Sequence, residues 1–281
     1  MTRIVDGRKI ASEILEGLRT KIKTLGLKPR LAVIQVGDDP ASSSYVKMKK
    51  KMGEAVGLWV DLKNYPKNIS QDELIAAIAA SNSDPRIHGI LVQLPLPSHL
   101  TRAVVLNSVV PAKDVDCLTS TNKEALVSAD PVFLPPAAAA VMKILDYYKI
   151  ELINKNILLV GSGDLVGQPL GEIFSKKSIP FKIANRHTGN LSELAASADI
   201  IITGAGQPGL VTGEMVKSGA VVIDAGTTGS DEGAVVGDVE YESVSKKAML
   251  LSPVPGGVGP VTVAMLLQNV VNSAVQKQNE E

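Results

Sequence analysis

Short apolar, β-branched runs alternate with helical stretches twice along this 281-residue chain, and that alternation limits the fold more than any other feature. Strands joined through helices pair in parallel, because a parallel neighbour needs a crossover and not a tight hairpin. The first train places strands at 30–36, 59–62 and 87–92, with helices at 41–56 and 71–80 between them. The second places strands at 157–160, 181–184, 200–203 and 220–224, with helices at 165–176 and 191–196. Ahead of both, Ile10, Ile14, Leu18 and Ile22 recur every four positions, the stripe of an amphipathic helix over 6–25. Pro95, Pro97 and Pro111 punctuate the segment after the first train, and Pro135-Pro136 opens a helix to about residue 148. The segment 226–237 is rich in turn residues, an apolar helix over 261–274 is placed to pack back on the first domain, and the polar tail 276–281 reads as frayed. The expected fold is therefore α/β with two open-sheet domains, the second of Rossmann type. Residues 1–140, completed by helix 261–276, make the first, and 141–260 make the second.

Composition removes several classes of function. With 29 Lys+Arg against 29 Asp+Glu, nine aromatic residues and no basic block longer than Lys49-Lys50-Lys51, little is available to neutralise a phosphate backbone or stack bases, so no nucleic-acid partner is expected. Cys117 has no second cysteine to pair with, and His88, His99 and His187 are scattered, so neither a disulfide framework nor a metal site is expected. The first ten residues carry charges where a signal peptide is apolar, and no apolar run approaches 18 residues. These features lead to the expectation of a cytoplasmic protein without a membrane partner.

Gly161-Ser162-Gly163-Asp164-Leu165-Val166-Gly167 follows an apolar strand and precedes a helix, where a glycine turn lets a pyrophosphate approach backbone N–H groups. The same turn also occurs in α/β folds that bind no dinucleotide. After the next strand, Asn185-Arg186-His187-Thr188 replaces the acid that usually binds a ribose hydroxyl; Arg186 suits a 2′-phosphate, so NADP is favoured over NAD, the alternative being a solvated loop arginine. Tyr45 and Lys49, four apart, share a helix face. Like charge from Lys47, Lys50 and Lys51 is expected to push Lys49 toward the neutral amine of a general base, whereas the bland reading is a solvated lysine face. Gln93 ends a strand at the carboxyl edge where α/β ligands bind. Asp116, in Lys113-Asp-Val-Asp116, either accepts paired N–H donors or caps a turn. Asp224 is expected to cap the turn after its strand, and 253–260 is a rigid glycine-proline loop with a surface hairpin as its default reading.

Taken in order, Asp39-Pro-Ala-Ser42, Tyr45, Lys49, Gln93-Leu-Pro-Leu-Pro97, Lys113-Asp-Val-Asp116, the glycine turn, Gly237-Asp-Val239 and Pro253-Val-Pro-Gly-Gly-Val-Gly-Pro260 resemble the bifunctional methylenetetrahydrofolate dehydrogenase/methenyltetrahydrofolate cyclohydrolase family over nearly the whole chain. The resemblance implies a homodimer with folate in a cleft between the two domains. It implies oxidation of 5,10-methylenetetrahydrofolate by NADP, with NAD as the alternative, and hydrolysis of the methenyl product to 10-formyltetrahydrofolate for one-carbon metabolism and purine biosynthesis. Lys49 would be the acid/base, Gln93 its partner, Tyr45 a ring against the folate and Asp116 the acceptor for the pterin edge. Pro255, Gly256 and Gly257 would line the substrate; Gly161, Ser162, Gly163, Asp164, Val166, Gly167, Arg186 and Thr228 would hold the cofactor.

Four departures from the family pattern stand out. Ser162-Gly163 replaces the usual Arg-Ser, Cys117 replaces a glycine, Pro135-Pro-Ala-Ala138 replaces Pro-Cys-Thr-Pro, and Asp224-Ala-Gly-Thr-Thr228 replaces Asp-Val/Cys-Gly-Ile-Asn near the expected nicotinamide. They keep two rivals in view: a shikimate- or glutamyl-reductase-type dehydrogenase, and a folate- or nucleotide-binding homologue that has lost one or both activities.

Overall fold

Both trains of β-branched runs form parallel sheets in the computed structural model, which describes residues 1–128, 131–229 and 235–280. The chain divides into two compact units: Ser12–Pro136 with Val263–Glu281, and Met1–Ala11 with Ala137–Thr262. The chain begins with β1 (Arg3–Ile4) and α1 (Gly7–Leu25). The first unit then continues through β2 (Arg30–Val36), α2 (Pro40–Ala55), β3 (Trp59–Tyr65), α3 (Gln71–Ser83), β4 (Gly89–Val92), α4 (Arg102–Asn107) and α5 (Ser120–Ser128). Its sheet has the order β3-β2-β4, every pair parallel.

Alternation along β2 builds two cores, because successive strand side chains leave on opposite faces. Leu31 and Val33 pack with Leu18 and Ile22 of α1 and with Val46 of α2, while Ala32 and Ile34 pack with Leu74 and Ile78 of α3 and Val105 of α4. Two caps fix the helix starts that matter here. Asp39 accepts the Ser42 N–H at 2.8 Å, with Pro40 in the first turn of α2, and Ser70 with Glu73 forms a capping box on α3.

The second unit contains α6 (Pro136–Tyr147), β5 (Ile157–Val160), α7 (Gly167–Lys176), β6 (Phe181–Ala184), α8 (Leu191–Ser197), β7 (Ile200–Thr203), β8 (Val221–Asp224), the antiparallel pair β9 (Thr228–Gly229) and β10 (Val235–Val236), α9 (Tyr241–Val244) and β11 (Leu250–Leu251). Its six-stranded sheet has the order β1-β11-β8-β7-β5-β6, wholly parallel. The chain ends in α10 (Val258–Glu280).

Several details differ from the sequence reading. β1 and β11 are two residues each, too short to show periodicity, and they carry residues 1–11 into the six-stranded unit. The expected turn over 226–237 contains the β9–β10 pair; residues 230–234 of it lie outside the described residues. The tail expected to fray is helical to residue 280: Gln278 donates to Leu25 O at 3.4 Å and the Lys277 ammonium reaches Pro85 O. Among the described residues α10 alone is long and apolar enough to cross a membrane, but Leu266, Leu267, Val270 and Val271 spend that apolar face in the core of the three-stranded unit.

In both sheets the first strand of the train (β2 or β5) lies between the second and the third. The loops that leave the carboxyl ends of the first and third strands therefore diverge and open a crevice, the usual ligand position in an open α/β sheet.

Candidate functional site

Three of the expected residues meet at the crevice of the three-stranded unit. The Gln93 N–H bonds Ile34 O at 2.8 Å, which extends the ladder one residue past β4 and brings the side chain out at the carboxyl edge. Its Nε2 donates to Leu94 O at 2.7 Å, so Oε1 is turned to accept from Lys49 Nζ at 2.9 Å. The same Nζ lies 4.8 Å from the centroid of the Tyr45 ring, the contact that i, i+4 spacing on α2 allows. Only 6% of Lys49 is exposed. Burial lowers its pKa to about 8, and the Asp116 carboxylate pulls in the opposite direction. Burial, joined by the Asp116 charge, pushes the Tyr45 phenol up to about 12, so Tyr45 stays a neutral hydroxyl.

The cause of the Lys49 shift corrects the sequence reading. Lys47, Lys50 and Lys51 are exposed on other faces of α2, and Lys50 lies 3.8 Å from Glu54. Desolvation, not crowding by like charge, lowers Lys49.

Of the two acids of Lys113-Asp-Val-Asp116, Asp114 is the one that the hydrogen bonds tie into the turn. Asp114, buried, accepts from Leu118 N at 3.2 Å, Thr119 N at 2.9 Å, Thr119 Oγ1 at 2.8 Å and Asn122 Nδ2 at 3.0 Å, so it organises the turn. Asp116 is half-buried and acts electrostatically on both Tyr45 and Lys49. Cys117 follows with φ +59°, the left-handed region that favours the glycine it replaces. Its thiol is buried and shifted upward by desolvation, then by Asp114 and Asp116, so it stays protonated and unreactive.

The glycine turn lies in the six-stranded unit, after β5. Gly161 has φ +105°, and a Cβ there would come within 2.6 Å of Gly204 O; a Cβ on Gly167 would come within 1.9 Å of Gly161 O. A Cβ on Gly204, just past β7, would come within 2.8 Å of the Val166 Cβ. Backbone is thus packed on backbone where β5 and β7 part. Ser162 and Gly163 are exposed, Asp164 is half-buried, and the N-cap residue of α7, Val166, contributes no side-chain cap. A backbone cradle before an uncapped ten-residue helix fits the diphosphate of a dinucleotide. Arg186 is exposed at the tip of a tight turn after β6, in which Thr188 N bonds Asn185 O at 2.8 Å and His187 N bonds Asn185 Oδ1 at 2.9 Å.

Asp224 caps its turn as expected, accepting from Gly226 N at 2.9 Å, and it also takes Thr203 Oγ1 at 2.9 Å and the N–H groups of Asp238 at 3.2 Å and Val239 at 2.9 Å. Asp238, fully buried, holds Ala205 N at 2.6 Å and Gln207 N at 2.8 Å. Together the two acids tie the loops after β7 and β8 to the base of the β9–β10 pair, where Thr228 is half-buried. Pro255, Gly256 and Gly257 precede α10 in this same unit; a Cβ on Gly7 would come within 1.7 Å of Gly257 O, so the start of α1 abuts that loop. Gly7, Gly204, Asp114 and Asp238 escaped the sequence reading. Of these Asp114 and Asp238 each had a signal, since they sit in the quoted Lys113-Asp-Val-Asp116 and Gly237-Asp-Val239 strings.

Residues 5–116 match the catalytic domain of tetrahydrofolate dehydrogenase/cyclohydrolase, and residues 135–278 match its NAD(P)-binding domain. The bifunctional protein FolD of Nautilia profundicola is 42% identical over 274 residues, 96% of either chain. The crystal structure of the bifunctional methylenetetrahydrofolate dehydrogenase/cyclohydrolase FolD from Campylobacter jejuni is similar with a TM-score of 0.92 at 40% identity, covering 98% of this chain and 99% of that one. The Trypanosoma brucei enzyme, solved with NADP and an inhibitor, gives a TM-score of 0.94 at 34% identity over 98% of both chains.

Proposed function

Because the chain belongs to the tetrahydrofolate dehydrogenase/cyclohydrolase family, we propose that it oxidises 5,10-methylenetetrahydrofolate to the methenyl form with NADP and hydrolyses that product to 10-formyltetrahydrofolate. The observation that carries the reading is the buried Lys49 amine, held by Gln93 at 2.9 Å beside the Tyr45 ring and the Asp116 carboxylate. A titratable amine in a desolvated pocket is what hydrolysis of a cationic substrate requires, since an ammonium would repel the methenyl cation while an amine accepts a proton.

In hydrolysis, Lys49 Nζ takes a proton from the water that adds to the methenyl carbon; the carbinolamine then collapses to the formyl group as the bond from that carbon to N5 breaks and N5 takes up the hydroxyl proton, and Lys49 returns its own proton to solvent. Gln93 Oε1 keeps the amine in place, and Tyr45 presents an un-ionised ring to the folate. Asp116 accepts the N–H edge of the pterin. Pro255, Gly256 and Gly257 offer backbone to the substrate. NADP, when bound, supplies the hydride acceptor for the oxidation. The backbone of Gly161, Ser162, Gly163, Asp164, Val166 and Gly167 would hold its diphosphate, Arg186 would hold its 2′-phosphate, and Thr228 would serve the nicotinamide end. The full-length family match sets aside the shikimate-type rival.

The family resemblance further supports a homodimer acting in the cytoplasm, where 10-formyltetrahydrofolate feeds purine biosynthesis. Absorbance decides the activity: methylenetetrahydrofolate with NADP or NAD should produce the reduced nicotinamide, and methenyltetrahydrofolate alone should lose its chromophore. Failure of either half would identify a homologue that has lost that activity.

A further inference from the structure

We propose that Asn269 of α10 is a positioning residue for Asp116, which deepens the reading of Asp116 as the pterin acceptor and rests on it. The side chain is 5% exposed and stands on the face of α10 otherwise made of Leu266, Val270 and Ala274, where an amide is costly to bury unless both its N–H groups find acceptors. Both do. Nδ2 donates to Val115 O at 2.9 Å and to Leu134 O at 2.9 Å. The first carbonyl belongs to the peptide that joins Val115 to Asp116, and the second to the peptide that joins Leu134 to Pro135. One amide therefore staples together the loop that carries Asp116 and the loop that opens α6. One turn further along α10, Ser273 Oγ reaches Ala112 O at 3.4 Å, so the helix touches the Asp116 loop at two levels.

The staple acts on the peptide from which the Asp116 side chain departs. Asp114 is already held by its four donors and by a bridge to Ile90, and on the other side Cys117 is locked into a left-handed turn. Rotation of the Val115–Asp116 peptide between them would turn the Asp116 side chain relative to Lys49 and Tyr45, and the bond to Val115 O opposes that rotation. A small misplacement of a recognition group is enough to lose most of its interaction.

A double-mutant cycle tests this, with tetrahydrofolate as the calorimetric probe and NADP affinity as the control. Asn269→Leu, which keeps size and removes both donors, should weaken tetrahydrofolate binding about tenfold and leave NADP binding unchanged. In the Asp116→Ala background the same change should have no further effect. An unchanged affinity in Asn269→Leu, or the same loss with and without Asp116, overturns the positioning role. If Asn269→Leu does not fold, Asn269→Ser, which keeps one donor, takes its place in the cycle; loss of folding by both also overturns the role, because Asn269 would then hold the unit and not this loop. If Asp116→Ala by itself leaves tetrahydrofolate affinity intact, the assignment of Asp116 fails first.

Discussion

Lys49 should titrate within the working range of the enzyme, and one substitution should move that titration in a direction fixed by the structure. Burial brings its pKa from 10.5 to about 8, so about a tenth of the side chain is neutral at pH 7, against roughly one part in three thousand for an exposed lysine. The shift corresponds to about 3 kcal/mol of disfavoured ammonium. Since the folded pKa lies below the unfolded one, that cost to stability is present in full below pH 8 and fades as the pH rises toward 10.5. A base acts when deprotonated, so kcat/KM for methenyltetrahydrofolate hydrolysis, which reports the free enzyme, should climb about tenfold from pH 7 to 9 and level off above. The Asp116 carboxylate opposes the shift, so Asp116→Asn should displace the midpoint to lower pH while also weakening the substrate. Loss of the methenyl chromophore, corrected for spontaneous hydrolysis at each pH, gives both curves. A flat or descending profile would show that Lys49 is not the base. A midpoint that Asp116→Asn leaves in place, or moves upward, would show that the carboxylate does not govern the amine.

Lys49→Met should reduce methenyl hydrolysis by about a hundredfold or more while tetrahydrofolate still binds in calorimetry, and below pH 8 the variant should melt above the parent, because a buried ammonium has been removed. Arg186→Ala should raise the NADP Michaelis constant about tenfold and leave NAD almost unaffected, the difference shrinking with added salt; an unmoved NADP/NAD ratio would mark Arg186 as a solvated residue. Gly167→Ala should cost about 2 kcal/mol or more in thermal melts, because its Cβ would lie 1.9 Å from Gly161 O. Gly163→Ala is the control: its Cβ would meet only Gly204 O at 3.8 Å and should leave the melting temperature unchanged.

What the sequence discloses depends on whether a residue's role is set along the chain or across it. The Tyr45–Lys49 contact is legible because helical spacing alone creates it, and the glycine turn because it follows an apolar run and precedes an amphipathic one. The Lys49–Gln93 bond joins residues 44 apart, and only the parallel register of β2 with β4 brings them together; residue order along the family pattern indicated it, periodicity did not. The cause of the Lys49 shift is hidden for the same reason, since crowding by neighbours can be read from a string of lysines and desolvation cannot. Asn269 looks like a polar interruption of an apolar helix. Its meaning resides in two carbonyls 154 and 135 residues away.

The two crevices are built differently, and that difference weighs the departures from the family pattern. The six-stranded unit makes its cradle from backbone, and the closely packed positions are Gly161, Gly167 and Gly204. Exchanging Arg-Ser for Ser162-Gly163 touches none of them, so what the exchange removes is a side-chain charge and not a closely packed position. Asp224 likewise keeps all four donors although the residues after it differ, so the changed string up to Thr228 still leaves from a fixed anchor. In the three-stranded unit the site is made of side chains, and its support is where substitution matters. Beside the altered Pro135 segment, Asn269 holds Leu134 O at 2.9 Å. Cys117 in a left-handed conformation costs about 1 kcal/mol relative to glycine, and its neighbour is Asp116. The strain sits at Cys117, and on the other side of Asp116 the bond from Asn269 to Val115 O holds the Val115–Asp116 peptide.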